Sequence, residues 1–288
     1  MTGILLLDKP EGWTSHDAVA KARRIFGEKR IGHGGTLDPM ATGVLPLFVG
    51  RATRAVEFIE RADKEYVASL RLGVRSDTMD TTGTVLETKP CAVGEDELRA
   101  VLAGFVGRRE QTPPMYSAKK YAGKKLYEYA RAGKEVERPA AEITISSIEL
   151  LGRDGEDFVI RVACSKGTYI RVLCDEIGRE LGCGGAMSAL RRTRFGAYRI
   201  ESCIGMDALI ASDDPASLLL PVDSMFADLP RVEIDAAGEK KCRCGSDVPY
   251  SGPERGRVRV YGEDGGFLML AEASDGALKT IKSFFEVL

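Results

Sequence analysis

The 288-residue chain has few of the residues on which metal sites and cofactor sites usually depend. It contains two histidines, one tryptophan and no asparagine. Because His16 and His33 are its whole supply of histidine, catalysis built on several histidine ligands is nearly excluded. No GxxxxGKS or GxxxxGKT run occurs and no GxGxxG follows a strand-like segment, so no motif indicates a nucleotide cofactor. We expect an activity that uses neither a metal nor a cofactor.

The sequence also lacks the signals of a membrane or exported protein. No apolar run approaches the ~20 residues that a membrane helix needs, and no basic region is followed by a long apolar segment. The seven cysteines include no CxxC motif, and Cys242 and Cys244 have no partner pair or nearby histidine. These features predict reduced thiols in a cytoplasmic protein that contacts no membrane.

Charge is nearly balanced overall but unevenly distributed. The net charge of −2 does not by itself suggest a nucleic-acid-binding protein. Residues 108–138, however, contain nine Lys or Arg against four Glu, and residues 166–199 contain seven against three acidic residues. Such segments can follow a phosphate backbone, although a charge run is also typical of a solvated face.

Strand and helix patterns alternate irregularly along most of the chain, which favours an α+β fold over a doubly wound parallel sheet. Ser15 is the predicted N-cap of a helix that ends at Gly27. Another helix is predicted over residues 168–181, with Arg171 in its first turn. After an acidic stretch that ends at Asp228, short strand patterns separated by turns predict a small β-barrel-like domain.

The most unusual segment is the glycine-rich loop of residues 32–43, which contains one carboxylate, that of Asp38. Glycines allow a ligand to approach the backbone closely, and Pro39 restricts Asp38 to an extended conformation. This pattern predicts a rigidly held carboxylate on a loop open to a large ligand. The alternative is a solvated turn residue.

Other candidate residues lie farther along the chain. Arg171 could hold the Asp38 carboxylate with parallel hydrogen bonds and favour its ionised form, or it could be a surface arginine. Tyr66 could offer its ring to a base, or it could be half-buried in a strand. Tyrosines and basic residues alternate over residues 116–131, a pattern that suits RNA and a mobile flap.

These segments, in this order, resemble the bacterial tRNA pseudouridine synthase B (TruB) family almost from end to end. The N-terminus and the short C-terminal domain favour the stand-alone bacterial enzyme over guide-RNA-dependent relatives, so no protein partner is expected. The matching motifs are Gly3–Pro10, His33–Pro46, Gly50–Arg54, Lys64–Tyr66, Arg71–Gly73, Asp77–Asp80, Tyr116–Arg131, Ser165–Arg171 and Leu190–Arg192.

The resemblance implies a role for each residue that falls on a family motif. Asp38 is the expected catalytic aspartate, and Arg171 is the arginine that pairs with it. Tyr66 is expected to stack on the target base and His33 to lie near the flipped-out nucleotides. Further substrate-binding positions, which line or support the pocket, fall on Lys9, Pro10, Lys64, Tyr169 and Leu190.

The resemblance also implies a division of the chain. Residues 1–228 would form the catalytic domain, a mixed, largely antiparallel sheet flanked by helices (the pseudouridine synthase fold). Residues 112–138, which include Lys119 and Lys120, match an insertion that closes on the tRNA. Residues 229–288 would be a small PUA-like β domain that binds RNA.

The implied activity is isomerisation of the T-loop uridine of tRNA, conventionally position 55, with the base flipped out. Asp38 would attack C1′ or remove the 2′ proton, and the sequence leaves both routes open. It also leaves open a non-catalytic RNA-binding module, which needs no Asp38, and a redox or metal role for the cysteines. The absence of heptads and of long exposed apolar segments predicts a monomer.

Overall fold

The computed structural model describes residues 1–285. Its helices are α1 (Ser15–Phe26), α2 (Val56–Ile59), α3 (Glu95–Ala103), α4 (Leu126–Arg131), α5 (Ile170–Glu180), α6 (Met206–Ile210) and α7 (Ala236–Arg243), with short 3-10 turns at Gly50–Ala55, Ile200–Ser202, Pro215–Leu218 and Val222–Phe226. Among residues 1–285, no helix combines the length and the apolar character needed to cross a bilayer.

Residues 1–285 also contain nineteen β-strands. The strands are β1 (Gly3–Lys9), β2 (Ile31–His33), β3 (Thr42–Val49), β4 (Lys64–Leu72), β5 (Val74–Ser76), β6 (Val85–Thr88), β7 (Gly107–Gln111), β8 (Lys120–Tyr121), β9 (Lys124–Lys125), β10 (Ala141–Asp154), β11 (Asp157–Cys164), β12 (Gly185–Phe195), β13 (Tyr198–Arg199), β14 (Ile204–Gly205), β15 (Arg231–Glu233), β16 (Val248–Pro249), β17 (Gly256–Tyr261), β18 (Phe267–Ser274) and β19 (Ala277–Ser283).

One large sheet organises the first part of the chain. Its strands lie in the order β14-β1-β3-β12-β4-β11-β10-β7, with β13 beside β12 and β2 beside β3. Only β1 with β14 and β3 with β12 run parallel, and the other pairs are antiparallel. This topology confirms the α+β class with a mixed, largely antiparallel sheet.

Strands β1 and β3 are buried on both faces because different layers cover them. In β1, Leu5 and Leu7 pack into a core with α1, α3 and α5, whereas Ile4 and Leu6 face a second core on the opposite side. The second core contains Phe226, Leu270 and Phe284 from the C-terminal part of the chain. Strands covered in this way have continuous apolar runs in their sequence.

Helix α1 begins one residue earlier than the sequence pattern predicts, because Thr14 rather than Ser15 is its N-cap. The Thr14 hydroxyl accepts from the Asp17 N–H at 3.0 Å, and the Asp17 carboxylate accepts from the Thr14 N–H at 2.9 Å. This capping box satisfies two otherwise unpaired donors. The helix ends at Gly27, whose φ of 62° is the left-handed C-cap conformation predicted there.

The last part of the chain forms a separate five-stranded sheet in the order β15-β17-β18-β19-β16, as the predicted small β domain requires. It has its own apolar core around Val258, Val260 and Leu278. The predicted boundary at residues 228 and 229 remains a proposal, and the last three positions of the predicted 229–288 domain lie outside the described residues.

Gly43→Ala is expected to lower the Tm more than Gly245→Ala does. Gly43 lies in β3 between β1 and β12 with a φ of 104°, and a Cβ there would collide with the Arg192 backbone. Gly245 has a φ of 76° and open space around it, so its alanine variant carries only the left-handed backbone cost of about 1–2 kcal/mol. Equal losses in scanning calorimetry would contradict the close approach of β3 and β12.

Candidate active site

The loop that carries Asp38 is held at the residue before it by the start of helix α1. The Leu37 N–H donates to Ser15 Oγ at 2.9 Å, and the Ser15 hydroxyl donates to the Leu37 carbonyl at 3.2 Å. Both residues are buried. The hydroxyl of Ser15 therefore positions the loop, which explains why Thr14 rather than Ser15 caps the helix.

Lys9 holds the other side of the same loop. Its buried ammonium donates to the carbonyls of Pro10 at 2.8 Å, Trp13 at 2.6 Å and Pro39 at 3.2 Å. Burial lowers the pKa of Lys9 to about 8, and the nearby Asp38 carboxylate opposes this effect. Because the Lys9 ammonium donates to three backbone carbonyls, its position favours support of the loop over contact with substrate.

Arg171 is fixed in place by four groups from three separate segments. Its Nε lies 3.0 Å from Asp38 Oδ2, Nη1 donates to the Thr78 carbonyl at 3.1 Å, and Nη2 donates to the Tyr116 carbonyl at 2.8 Å. The Arg171 side chain is 6% exposed and that of Asp38 is 38% exposed. The arginine is thus immobilised, while the carboxylate keeps an open side.

The fourth group is a second carboxylate, that of Asp80, which is almost fully buried. Its Oδ2 lies 3.7 Å from Nη1 of Arg171. Its Oδ1 accepts from the Thr78 hydroxyl at 2.8 Å and from the Thr82 hydroxyl and N–H at 2.6 and 3.0 Å. A buried guanidinium needs paired charge and satisfied donors. The Asp80 carboxylate supplies negative charge at Nη1 of Arg171, and Asp38 contacts the Nε atom.

The single glutamine of the chain fixes the start of helix α5, which carries Arg171. Gln111 is buried at the end of the edge strand β7. Its Oε1 accepts from the Tyr169 N–H at 2.8 Å, and its Nε2 donates to the Tyr169 carbonyl at 3.2 Å. Tyr169 is the residue before the helix and has no side-chain cap. Gln111 therefore anchors the backbone from which Arg171 projects.

Tyr66 lies on β4 opposite Arg192 on β12. Burial raises the pKa of the Tyr66 hydroxyl, and the positive charge of Arg192 opposes that rise. Arg192 also donates to the carbonyls of Val44 at 2.7 Å and Gly35 at 3.1 Å, which lie on the two sides of the Asp38 loop. One buried guanidinium opposite the tyrosine thus joins the two stems of that loop.

Two cavities meet at the Asp38–Arg171 pair, and both residues line each of them. Ser117 and Ala118 also line both, so this short part of residues 112–138 lies at the junction. The larger cavity, about 1190 Å³, is further lined by Tyr66, Leu190, Tyr169, Lys64 and Lys119. The smaller cavity, about 730 Å³, is further lined by His16, His33, Lys125, Tyr127 and Arg131.

His33 occupies the wall of the smaller cavity. Its ring centroid lies 5.6 Å from that of His16, and its buried Nδ1 has no hydrogen-bond partner among residues 1–285. Burial, followed by the positive charges of His16, Arg192 and Lys125, lowers the pKa of His33 to about 4. The imidazole is therefore neutral near pH 7.

Several basic side chains line the two cavities at the Asp38 carboxylate. Burial lowers the pKa of Lys64 to about 8, and its amine donates to the carbonyls of Glu60 and Ala62. Within residues 1–285, no carboxylate forms an ion pair with the members of this group that line the two cavities, which are Lys64, Lys119, Lys125, Arg131 and Lys166. No group of three metal-ligating side chains occurs in this part of the chain.

The structure thus brings together most residues that the motifs single out, though not all at one surface. Asp38, Arg171, Tyr66, Tyr169, Leu190, Lys64 and Lys119 line the larger cavity, and His33 lines the smaller one. Lys9, Pro10 and Lys120 line neither cavity.

Sequence reasoning assigned no role to Gln111, Asp80 or Arg192. Asp80 and Arg192 lie inside motifs that match the family, which is the one signal that could have indicated them. Gln111 carries no such signal, because only the fold brings it to Tyr169.

Family models match nearly the whole chain. The model described as TruB family pseudouridylate synthase (N-terminal domain) matches residues 23–170. The chain belongs to the TruB family of pseudouridylate synthases. Two C-terminal models of the same family match residues 171–227 and 230–281. The family and the enzyme class predicted from the motifs are confirmed.

Curated relatives named tRNA pseudouridine synthase B are similar over most of their length. The protein from Aromatoleum aromaticum is 48% identical over 94% of this chain and 88% of its own length. The protein from Ralstonia nicotianae is 47% identical over 91% of this chain and 86% of its own, and that from Burkholderia mallei is 45% identical over 96% and 95%.

Solved structures share the fold over 99% of this chain. A crystal structure of a Cbf5–Nop10–Gar1 complex superposes with a TM-score of 0.72 at 29% identity and covers 85% of that chain. A structure of an H/ACA RNP bound to a substrate RNA containing 2′-deoxyuridine superposes with a TM-score of 0.73 at 27% identity and covers 86%. The predicted pseudouridine synthase fold is confirmed.

The imidazole of His33 is expected to titrate near pH 4 in the folded protein, well below the ~6.5 of a solvated histidine. The unfolded chain binds this proton at a higher pH than the folded chain, so His33 makes the free energy of unfolding fall as the pH drops from about 6.5 to about 4. NMR titration of the two histidine rings measures the pKa, and His16→Gln assigns the signals. A His33 midpoint at or above 6 would contradict the burial of this ring.

Proposed function

We propose that this protein isomerises uridine to pseudouridine in tRNA, at the T-loop uridine of position 55 and without a cofactor. One observation carries the proposal. In a chain of this family, a carboxylate paired with a buried arginine opens into a cavity whose wall includes an aromatic ring. The curated relatives bear the name of this activity, and their similarity extends over almost the whole chain.

The reaction needs little besides a positioned carboxylate. The N1–C1′ bond breaks, the uracil rotates, a C5–C1′ bond forms, and C5 loses its proton. Asp38 performs the first step either by attacking C1′ or by removing the 2′ proton. In both routes the charged Asp38 must point at the ribose, and the 3.0 Å contact with Arg171 sets its direction. No electrons enter or leave, so the reaction requires no redox partner.

Tyr66 and Leu190 form the side of the cavity that receives the base. Leu190 pairs with Ala68 in the sheet and Arg192 pairs with Tyr66, so Leu190 and Tyr66 are diagonal neighbours on adjacent strands. A flipped-out uracil can stack on the tyrosine ring, which recovers part of the unstacking cost of a few kcal/mol. Arg192 lies opposite this tyrosine on the adjacent strand.

Residues from two parts of the chain offer positive charge to the RNA. Lys119 comes from the insertion, and Arg257 reaches the larger cavity from the five-stranded sheet. This arrangement supports the assignment of residues 112–138 and of the C-terminal β domain as RNA-contacting elements, with Lys120 on the exposed face of the insertion. Charges of this kind dominate affinity for a phosphate backbone.

A non-catalytic RNA-binding module is the second candidate, and the cation-lined cavities by themselves would suit it. The open carboxylate of Asp38 argues against that candidate, because it would repel phosphate and contribute nothing to binding. The cytoplasmic location, the monomeric state and the independence from protein partners stay predictions from the sequence.

Asp38→Asn is expected to abolish turnover and to leave RNA affinity within about twofold, since the substitution removes one charge and keeps the shape. The substrate is a T-arm stem–loop RNA with tritium at C5 of the target uridine. Tritium release measures turnover, and filter binding measures affinity. The wild-type protein should release the label.

Two controls complete this experiment. A stem–loop with cytidine at the target position and tritiated uridines only in the stem should release nothing. Release from Asp38→Asn at the wild-type rate would refute the catalytic assignment. Tight binding without release by either protein would favour the RNA-binding module.

Asp80→Asn is expected to lower kcat by at least about tenfold with little change in KM, because a charge that orients Arg171 is lost while the Oδ1 hydrogen bonds remain. Asp77→Asn is the matched control, since the Asp77 carboxylate accepts from the Thr84 N–H on the exposed side of the same turn. Equal kcat values for the two variants would show that Asp80 does not position Arg171.

A further inference from the structure

Outside the proposed active site, two thiols from distant segments lie in contact. Cys91 follows β6 and Cys183 follows α5, and 92 positions separate them in the sequence. Their Sγ atoms are 3.4 Å apart. Neither thiol lines a cavity that holds Asp38, so the proposed isomerisation does not use them.

The backbone on both sides of this thiol pair is held by one residue, Gly73. Its N–H donates to the Gly184 carbonyl at 2.9 Å, and its carbonyl accepts from the Lys89 N–H at 2.8 Å. Gly184 is next to Cys183, and Lys89 is two residues before Cys91. The two sulfur atoms are therefore brought together by hydrogen bonds that do not depend on the thiols themselves.

The two cysteines differ in their access to solvent. Cys91 is exposed, whereas Cys183 is buried, and burial raises the pKa of the Cys183 thiol. An oxidant in solution therefore reaches Cys91 before Cys183. The thiol of Cys183 lies beside Cys91 and stays protonated. This arrangement is typical of a reactive cysteine with a resolving partner.

We propose that Cys91 and Cys183 are a reversible oxidation site that forms a disulfide in response to hydroperoxides. The Cys91 thiolate attacks the O–O bond, an S–O bond forms, and hydroxide or alkoxide leaves with the electron pair. Sulfur is oxidised by two electrons and the peroxide is reduced. Cys183 Sγ then attacks this sulfenic acid, an S–S bond replaces the S–O bond, and the departing hydroxide takes the Cys183 proton and leaves as water.

The disulfide would join the segment that contacts the buried Arg171 to the helix that carries it. The chain from Gly73 to Cys91 includes Thr78 and Asp80, and Cys183 follows the helix whose first turn carries Arg171. A covalent link at this distance along the chain restricts the unfolded state strongly. We expect the oxidised protein to keep its fold and to unfold at a higher temperature.

The experiment treats the full-length protein with limiting hydrogen peroxide, alkylates the remaining thiols in denaturant and maps the peptides. Two of the seven cysteines should become unavailable to alkylation, in a peptide pair that links Cys91 to Cys183 and separates with dithiothreitol. The Tm of the oxidised protein should rise by several degrees. A linked pair that involves other cysteines, or two thiols that remain free, would overturn the proposal.

Variants separate the two steps. Cys183→Ala should accumulate a dimedone-reactive sulfenic acid at Cys91 and gain no Tm on oxidation, and Cys91→Ser should leave Cys183 reduced. Cys244→Ser, at another exposed cysteine, is the matched control and should form the link as the wild type does. Formation of the Cys183 disulfide without Cys91, or peroxide oxidation that spares Cys91 in Cys183→Ala, would refute the assignment. None of these readouts depends on isomerase activity.

Discussion

The burial of one guanidinium organises the centre of this protein. A charged group that leaves water must regain its hydrogen bonds and counter-charge inside the protein, or the fold loses several kcal/mol. Arg171 does so with the carboxylates of Asp38 and Asp80 and with the carbonyls of Thr78 and Tyr116. Its partners come from the glycine-rich loop, the β5–β6 hairpin and the insertion, so one side chain requires three segments to meet.

The surrounding structure makes this meeting rigid. Gln111 clamps the backbone before α5, Ser15 clamps the backbone before Asp38, and Lys9 ties the far side of the loop to three carbonyls. Arg192 joins the two stems of the loop and lies opposite Tyr66 on the adjacent strand. Each of these polar side chains is buried and uses its hydrogen bonds on backbone. The result is a carboxylate with a fixed direction and an aromatic wall beside it, which suits chemistry that depends on position.

The insertion has a double role in this arrangement. The Tyr116 carbonyl accepts a hydrogen bond from Arg171. Ser117 and Ala118 line both cavities beside the Asp38–Arg171 ion pair. The same segment carries Lys119, Lys125 and Arg131, which have no ion pair with a carboxylate in the described chain, residues 1–285. A movement of this segment would therefore change both the cavity entrances and the support of Arg171. The cavity entrances and the geometry of the Asp38–Arg171 pair are thus linked through the Tyr116 carbonyl.

The sequence by itself determined the α+β class, the glycine- and proline-framed loop around Asp38 and the place of Arg171 in the first turn of a helix. These features depend on local periodicity, on backbone restrictions or on contiguous family motifs, all of which can be read along the chain. Only the tertiary structure decided which polar residues support them. Gln111 meets Tyr169 from 58 positions away, and Arg171 meets Thr78 from 93.

The choice of Thr14 as the cap of α1 has the same origin, since Ser15 is an equally good cap in local terms but is committed to Leu37. A buried polar side chain selects its partner through the three-dimensional arrangement of the backbone, and no local pattern in the sequence encodes that arrangement.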